Sequence, residues 1–238
     1  MGTCRVTFLE LVRMVARESG TVPGLNQPAT VTGQTGRLAR CVSWTAQAYD
    51  EIQTSSPDWL FRREAFYDRV VPEGARELTA AALGIEDCRQ FVRPSPAAHW
   101  ITLHDPEKGV SDQGRLVFIP WPEFQRRYLL AAPRADVARP QAVSIDPKGR
   151  IALYPTPDKE YRLSGVYQQT NQRLEDDNDV PEMPSQFHMV IAYKALTLLE
   201  TFDEAFVSKA HHTAAHDALW ARLAADQLPE ITFGAPLA

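Results

Sequence analysis

The sequence predicts an α+β fold in which the N- and C-terminal helices form a four-helix bundle and an antiparallel β-domain is inserted between them. Apolar residues recur with the helical period of about 3.6 near both ends of the chain. The middle shows the two-residue period of strands, interrupted by prolines and glycines typical of turns. The predicted organisation is a helical bundle domain over 1–58 and 180–228, a β-domain with one short helix over 59–179, and an extended tail over 229–238.

The first helix has a marked start and end. Thr7 and Glu10 have the spacing of a capping box, in which each side chain accepts the other residue's backbone N–H. Gly20 follows the last turn and can close the helix in the left-handed conformation. A loop is predicted over 20–36 and a second helix over 35–54. The apolar stripe of the first helix consists of Phe8, Leu11, Val12 and Val15.

Two further helices are predicted in the C-terminal third. One has a wide apolar stripe from Phe187 to Phe202, and the other has a stripe from Phe206 to Leu223. Asp203 lies in the break between them and is the predicted N-cap of the last helix. Four amphipathic helices can bury their stripes against one another, which predicts the bundle.

The clearest strands lie over 141–168, where we predict a three-stranded antiparallel meander. Pro147 and Gly149 suit a bulged hairpin turn. The alternation over 161–168 predicts a half-buried strand. A short helix is predicted over 122–130. Weaker strand candidates are 61–70, 76–79, 99–104 and 114–119.

The composition favours a folded protein of acidic character. Of 238 residues, 44% are apolar, and 25 Lys and Arg against 30 Asp and Glu give a net charge of −5. This balance argues against a protein that grips nucleic-acid phosphates. Cys4, Cys41 and Cys88 show no CxxC spacing and predict reduced structural thiols. No apolar run is long enough to span a membrane and no signal peptide is visible, so we expect a soluble protein made in a cytoplasm, with no membrane partner.

His212 and His216 are the strongest candidate metal ligands. They stand at i and i+4 on the predicted last helix, a spacing that can place two imidazoles on one metal ion. Thr213 occupies the position where the zincin motif requires Glu. A solvated helix face is therefore the favoured interpretation, and a small metal-dependent hydrolase is the alternative.

Two other motifs have weaker chemical signals. Glycines over 33–36 could present backbone amides to an anion, but a phosphate loop or dinucleotide fingerprint is incomplete there, which favours a helix-entry turn. The acidic run over 175–179 lacks the alternating pattern of a calcium loop, which favours a loop preceding a helix. We therefore predict no catalytic, cofactor-binding or metal-binding residues and no cofactor, and the protein is not expected to be an enzyme.

Several stretches resemble the phage head-to-tail adaptor proteins, also called connector or head-completion proteins, and the plan is similar to that of tail-tubular adaptors. The most specific are Tyr-Pro-Thr-Pro-Asp at 154–158 and Val-Pro-Glu-Met-Pro at 180–184. The other stretches are 7–12, 16–20, 31–36, Trp44, 48–49, 118–124, 187–188 and 192–196. All of them follow one another along nearly the whole chain.

The resemblance implies a structural role in the virion, at the head-tail interface. It implies a homo-oligomeric ring, commonly twelve-fold, that assembles in the host cytoplasm beneath the portal protein. Such a ring retains packaged double-stranded DNA and offers a docking surface to a downstream tail or stopper protein. The acidic balance suits a lumen through which DNA passes without sequence-specific contact. A generic DNA-binding module is a further alternative.

The tail over 229–238 is apolar and lacks a helical period. Such tails pack either on their own domain or on a partner, and the sequence leaves both open. With the adaptor resemblance, we expect the tail to reach the portal, with Ile231, Phe233 and Leu237 as anchors.

Overall fold

The chain forms two compact units, one of Met1–Arg62 with Asn171–Ala238 and the other of Arg63–Thr170. Helices dominate the first unit and strands the second, which confirms the predicted α+β class. The computed structural model describes residues 6–22, 27–94, 100–130, 136–204 and 206–229.

The described residues form five α-helices. In chain order they are α1 (Phe8–Glu18), α2 (Gly36–Thr54), α3 (Trp121–Phe124), α4 (His188–Phe202) and α5 (Phe206–Gln227). The short helix predicted over 122–130 is only partly α-helical, because α3 continues as a π-helical turn over Gln125–Leu130. Short 3₁₀ turns lie at Leu60–Arg62, Ala81–Leu83, Val110–Asp112 and Ser185–Phe187.

The capping box at the start of α1 is confirmed. The Thr7 hydroxyl accepts the backbone N–H of Glu10 at 3.3 Å, and the Glu10 carboxylate accepts the backbone N–H of Thr7 at 2.8 Å. At the other end Gly20 has a φ of +65°, the left-handed conformation predicted for it. The predicted apolar stripe of α1 is buried throughout.

α4 lies at the centre of the helical unit. It packs against α1, α2 and α5, and α1 also packs against α2. Trp59, which follows α2, fills the core: its indole N–H donates to the Ile52 carbonyl at 2.9 Å and its ring meets Trp220 edge-on at 5.5 Å. The buried apolar residues of α4 are Val190, Ile191, Ala192, Ala195, Leu196 and Leu199.

Asp203 ends α4 and is not the predicted N-cap of α5. Its backbone N–H donates to the Leu199 carbonyl at 3.0 Å, so it occupies the C-cap position. A carboxylate is unfavourable at a helix C-terminus. The ion pair between Asp203 and Arg37 of α2 compensates for this, and such a long-range partner is invisible to a local capping pattern.

Nine strands form two sheets within the described residues. They are β1 (Arg63–Val71), β2 (Glu77–Leu78), β3 (Cys88–Phe91), β4 (Thr102–His104), β5 (Gly114–Arg115), β6 (Val117–Phe118), β7 (Ala142–Ile145), β8 (Ile151–Tyr154) and β9 (Tyr161–Gln169). The first sheet has the order β1-β9-β4-β5, with β3 also paired to β9. The second has the order β2-β8-β7-β6, in which β6 and β7 are parallel and the other pairs are antiparallel.

The predicted hairpin is confirmed, but the predicted meander over 141–168 is wrong in its third strand. β7 and β8 pair in register from Ala142–Tyr154 to Ile145–Ile151, around a turn in which Gly149 has a φ of +75°. β9 instead lies in the other sheet. Pro155 and Pro157 in the connection have no backbone N–H with which to continue a ladder, so the chain leaves the second sheet there.

β9 is more buried than the predicted half-buried strand. Leu163, Ser164 and Gly165 are all buried in succession. The reason is that β9 is the central strand of its sheet, paired with β1, β4 and β3, so the side chains of neighbouring strands on both sides reduce the exposure of its residues.

The weaker strand candidates correspond to strands with shifted bounds. Those at 61–70 and 76–79 match β1 and β2, and that at 99–104 matches β4, although residue 99 lies outside the described residues. The candidate at 114–119 is divided into β5 and β6. Strand β3 was not predicted, because Cys88–Phe91 has no alternation of its own and forms through its pairing with β9.

Candidate interaction surface

An aromatic cluster joins α3 to the second sheet. Trp121 stacks on Phe124 at 6.0 Å between ring centroids, and Phe124 meets Tyr128 edge-on at 5.2 Å. Tyr128 in turn stacks on Tyr154 of β8 at 4.1 Å with an interplanar angle of 21°. Two of the stretches that resemble adaptors, 118–124 and 153–158, therefore meet at one place.

The local sequence explains how α3 presents these rings. Pro122 lies in the first turn, where its missing N–H costs nothing and its fixed φ favours the helix. The following π-helical turn, Gln125–Leu130, is wider than an α-helical turn, and turns of this kind recur at functional sites. Phe124 is almost fully buried, whereas Trp121 and Tyr128 remain half-exposed.

A groove of about 360 Å³ lies beside this cluster. Gly74 and Arg76, which precede β2, and Glu77 at its start form part of its lining together with β8 and the α3 region. Arg76 donates from Nε to the Thr156 hydroxyl at 2.6 Å, and Glu77 forms an ion pair with Arg150 at 2.5 Å. The lining residues are Gly74, Arg76, Glu77, Trp121, Phe124, Tyr128, Leu129, Ala152, Leu153 and Tyr154.

Tyr154 is fixed at this groove by a second contact. Its hydroxyl donates to the Asp136 carboxylate. This hydrogen bond to a carboxylate, with a smaller effect from desolvation, raises the pKa of Tyr154 above its ordinary value. The phenol is therefore neutral and oriented at physiological pH. The spacing of Trp121, Phe124 and Tyr128 at i, i+3 and i+7 was the sequence signal that could have indicated a shared face.

Two other stretches that resemble adaptors, 48–49 and 180–184, contact each other in the helical unit around Tyr49. The Tyr49 hydroxyl donates to the Gln172 side-chain oxygen at 2.8 Å and accepts the backbone N–H of Glu182 at 3.1 Å. Burial raises the pKa of Tyr49 well above its ordinary range. The Gln172 side chain also donates to the Val180 carbonyl at 2.9 Å, so the segment at 180–184 is held against α2. This network is a structural joint between α2 and the segment at 180–184.

The acidic run over 175–179 supports the start of α1. The carbonyls of Asp179 and Asp177 accept the backbone N–H groups of Phe8 and Leu9 at 2.7 and 3.2 Å. The Asp177 carboxylate accepts the backbone N–H of Val31 at 2.6 Å. These oxygens are used within the fold, in agreement with the interpretation favoured from the sequence.

His212 and His216 have separate partners. His212 Nδ1 is 2.7 Å from the buried Glu200 carboxylate, whereas His216 Nδ1 is 2.9 Å from Asp217 and its ring stacks on Trp220. Across the described residues, no group of three or more His, Cys, Asp or Glu side chains could hold a metal ion. The geometry therefore gives the hydrolase interpretation no support.

The cysteines have no reactive setting where they are described. Desolvation raises the pKa of Cys41, and it raises that of Cys88 to about 11, aided by the neighbouring Asp87 charge. Both are free thiols. Cys4 lies outside the described residues, as do the proposed anchors in the tail.

The glycine turn before α2 contains two left-handed residues. Gly33 and Gly36 have φ values of +67° and +60°, and the Gln34 side chain donates to the Thr30 carbonyl at 2.8 Å. These contacts agree with a helix-entry turn.

Comparison with known proteins assigns this architecture to a family. A family model described as SU10 adaptor protein matches residues 6–236. The chain belongs to the SU10 adaptor protein family. The predicted resemblance to phage head-to-tail adaptors is thereby confirmed. A search of curated proteins finds no match.

Membership in the SU10 adaptor protein family gives the chain a structural role as a phage adaptor. The family is one of structural proteins, and it implies contacts with other phage head and tail proteins in the virion. In the part of the chain that the structure describes, no helix is long and apolar enough to cross a membrane.

Proposed function

We propose that this SU10 adaptor family protein forms a ring between the portal and the downstream tail components, retains packaged DNA and provides the conduit for its ejection. The observation that carries the proposal is the family match over residues 6–236. The arrangement of the adaptor-like stretches also supports it, since they form internal joints and an open groove and do not converge on reactive side chains.

The ring is built from the helical unit. In this proposal α1, α2, α4 and α5 form a four-helix bundle whose sides meet neighbouring copies. A head-to-tail contact repeated between identical copies closes into a ring when the rotation from one copy to the next divides a full turn. Twelve copies are expected. The α5 helix suits a lateral contact because, among its described side chains, only Leu223 is fully buried.

The lumen lets double-stranded DNA pass without gripping it. The net charge of −5 supports this, since a basic lining would hold phosphates and oppose passage. The protein contacts DNA without reading its sequence.

The tail over 229–238 connects the ring to the portal. Ile231, Phe233 and Leu237 insert as apolar anchors, and the protein is monomeric until it meets the portal in the host cytoplasm. The predicted helical domain over 1–58 and 180–228 lies within the compact helical unit, and the predicted β-domain over 59–179 contains the compact β unit, Arg63–Thr170.

A phage in which the coding sequence carries a suppressible stop codon tests the proposal. Without the protein, we expect portal-bearing heads that lack tails and lose packaged DNA, and a supplied wild-type copy restores tailed particles. Formation of tailed, DNA-filled, infectious particles in the complete absence of the protein would refute the proposal.

A further inference from the structure

The groove in the β unit has an apolar floor that remains partly open. Trp121, Tyr128 and Leu129 line it and are each half-exposed. Concave sites with an apolar floor and a few polar groups are typical of ligand pockets. At about 360 Å³ the groove accommodates a few side chains, not a globular surface.

Arg76 is the basic side chain of the lining. Glu77 forms an ion pair with Arg150, whose guanidinium it shares with Asp146. Arg76 donates to the Thr156 hydroxyl, but within the described ranges it forms no ion pair with a carboxylate. A guanidinium beside an apolar floor favours a ligand that brings a carboxylate next to an apolar side chain, because a carboxylate can accept the remaining N–H donors.

The edge of the second sheet favours an extended ligand. β2 is the terminal strand of that sheet, and Gly74 and Arg76 before it and Glu77 at its start line the groove. Terminal strands present backbone donors and acceptors to an added extended segment, while side-chain pockets beside them give specificity.

We propose that this groove binds an extended segment of a different virion protein, in which an apolar residue is flanked by Asp or Glu. The inference rests on the proposed adaptor function, and it assigns the contact with the downstream tail component to the β unit. Tyr128 and Leu129 contact the apolar side chain, and Arg76 pairs with the carboxylate.

Photo-cross-linking in assembled particles tests the occupant directly. With Tyr128→p-benzoylphenylalanine, we expect the cross-linked peptide to come from another virion protein and to contain Asp or Glu within about three residues of the linked apolar residue. The same label at Tyr67, which is 72% exposed on β1, serves as the control and should not link to that peptide. If the Tyr128 variant does not assemble, Leu129 takes the label. Cross-links to a second copy of this chain, or none to another protein, would overturn the inference.

Binding measurements test the role of Arg76. Arg76→Glu should weaken binding of the protein, assembled on the portal, to the downstream tail component by at least about tenfold, with a smaller salt dependence than wild type. Arg89→Glu is the matched control, since Arg89 is exposed on β3 of the same unit and outside the groove lining, and it should change affinity less than about twofold. Equal binding by wild type and Arg76→Glu, or an equal loss in both variants, would refute the groove assignment. A wild-type protein that, assembled on the portal, binds no tail component would refute the proposed adaptor function itself.

Discussion

Asp146 organises the hairpin between β7 and β8. Its carboxylate accepts the backbone N–H groups of Lys148 and Arg150 at 2.9 and 2.8 Å, and Arg150 Nε at 2.7 Å. Its side chain is only 2% exposed. Removing this acceptor takes away three hydrogen bonds from part-buried donors, one of them charged.

Asp146→Ala should therefore lower the local stability of the hairpin by about 1–3 kcal/mol. Hydrogen exchange at the β7 and β8 amides measures this within the β unit alone. Lys148→Ala is the matched control, because only the backbone of Lys148 takes part, and its effect should stay within about 0.5 kcal/mol. Equal protection in the two variants would contradict the role given to Asp146.

The same carboxylate predicts a pH dependence. Burial alone would raise its pKa, but hydrogen bonds from the Arg150 backbone and guanidinium and from the Lys148 backbone outweigh burial and lower it. A lowered folded-state pKa gives stability that is complete above the unfolded value of about 3.9 and is lost as pH falls through the folded value. Hairpin protection in wild type should decline below about pH 4, whereas Asp146→Asn should show a smaller decline. An identical decline in both would show that another group is responsible.

Residue-level features could be predicted where the partners are close in sequence. Thr7 with Glu10, and Pro147 with Gly149, are local patterns and were found. Asp203 was assigned to the wrong helix end because its partner, Arg37, is distant in the chain. The Tyr49 network was not predicted for the same reason, since Gln172 belongs to a remote segment.

At the scale of elements, the start of α1 depends on a loop from the other end of the chain. Asp177 ties the segment before α2 to this loop through the backbone of Val31 and the hydroxyl of Thr30. The Asp177 carbonyl also accepts the backbone N–H of Leu9. The helical unit is therefore closed by contacts between its two sequence segments.

Asp177→Ala should reduce amide protection around Val31 by about 1–3 kcal/mol, whereas the backbone hydrogen bond from Leu9 to the carbonyl of residue 177 remains. Asp176→Ala offers a neighbouring control, since the Asp176 side chain is exposed and makes no hydrogen bond within the described residues. Native-state hydrogen exchange distinguishes the two. A loss as large in Asp176→Ala would mean that net charge, not these hydrogen bonds, stabilises the loop.

The central strand β9 is packed too closely for a side chain at Gly165. A Cβ there would lie 2.9 Å from the Phe66 ring and 3.4 Å from Ile101. Gly165→Ala should destabilise the first sheet by about 1–3 kcal/mol, because the ring must shift in a packed core. Exchange at the β1 and β9 amides measures the loss, and adding Phe66→Leu should recover part of it. No destabilisation by the single change would contradict the tight packing of β9 on Phe66.

Element prediction succeeded where periodicity and turn residues agree, and failed where pairing is long-range. The helices and the β7–β8 hairpin have their own signals. The place of β9 depends on β1, nearly a hundred residues earlier in the chain, so its sheet could not be read from its neighbours. The groove was missed because Arg76, Tyr128 and Tyr154 meet only after folding.

At the scale of the whole molecule, the tail is the predicted link to the portal. Replacing Ile231, Phe233 and Leu237 together by Asp should abolish most portal binding, because charged side chains cannot enter an apolar site without losing hydration. Replacing Thr232 and Ala235 by Asp adds charge to the same segment but leaves the three anchors in place. This control variant should bind the portal more tightly than the triple variant. Portal binding that survives deletion of 229–238 would refute this role.

The most direct test of the central claim is a cryo-electron microscopy reconstruction of the particle that contains this protein. We expect a closed ring of copies, twelve in number, between the portal and the first tail component, with DNA or an open channel along its axis. Particles whose neck contains no density for this chain, or in which it occurs as isolated copies away from the portal, would contradict the account.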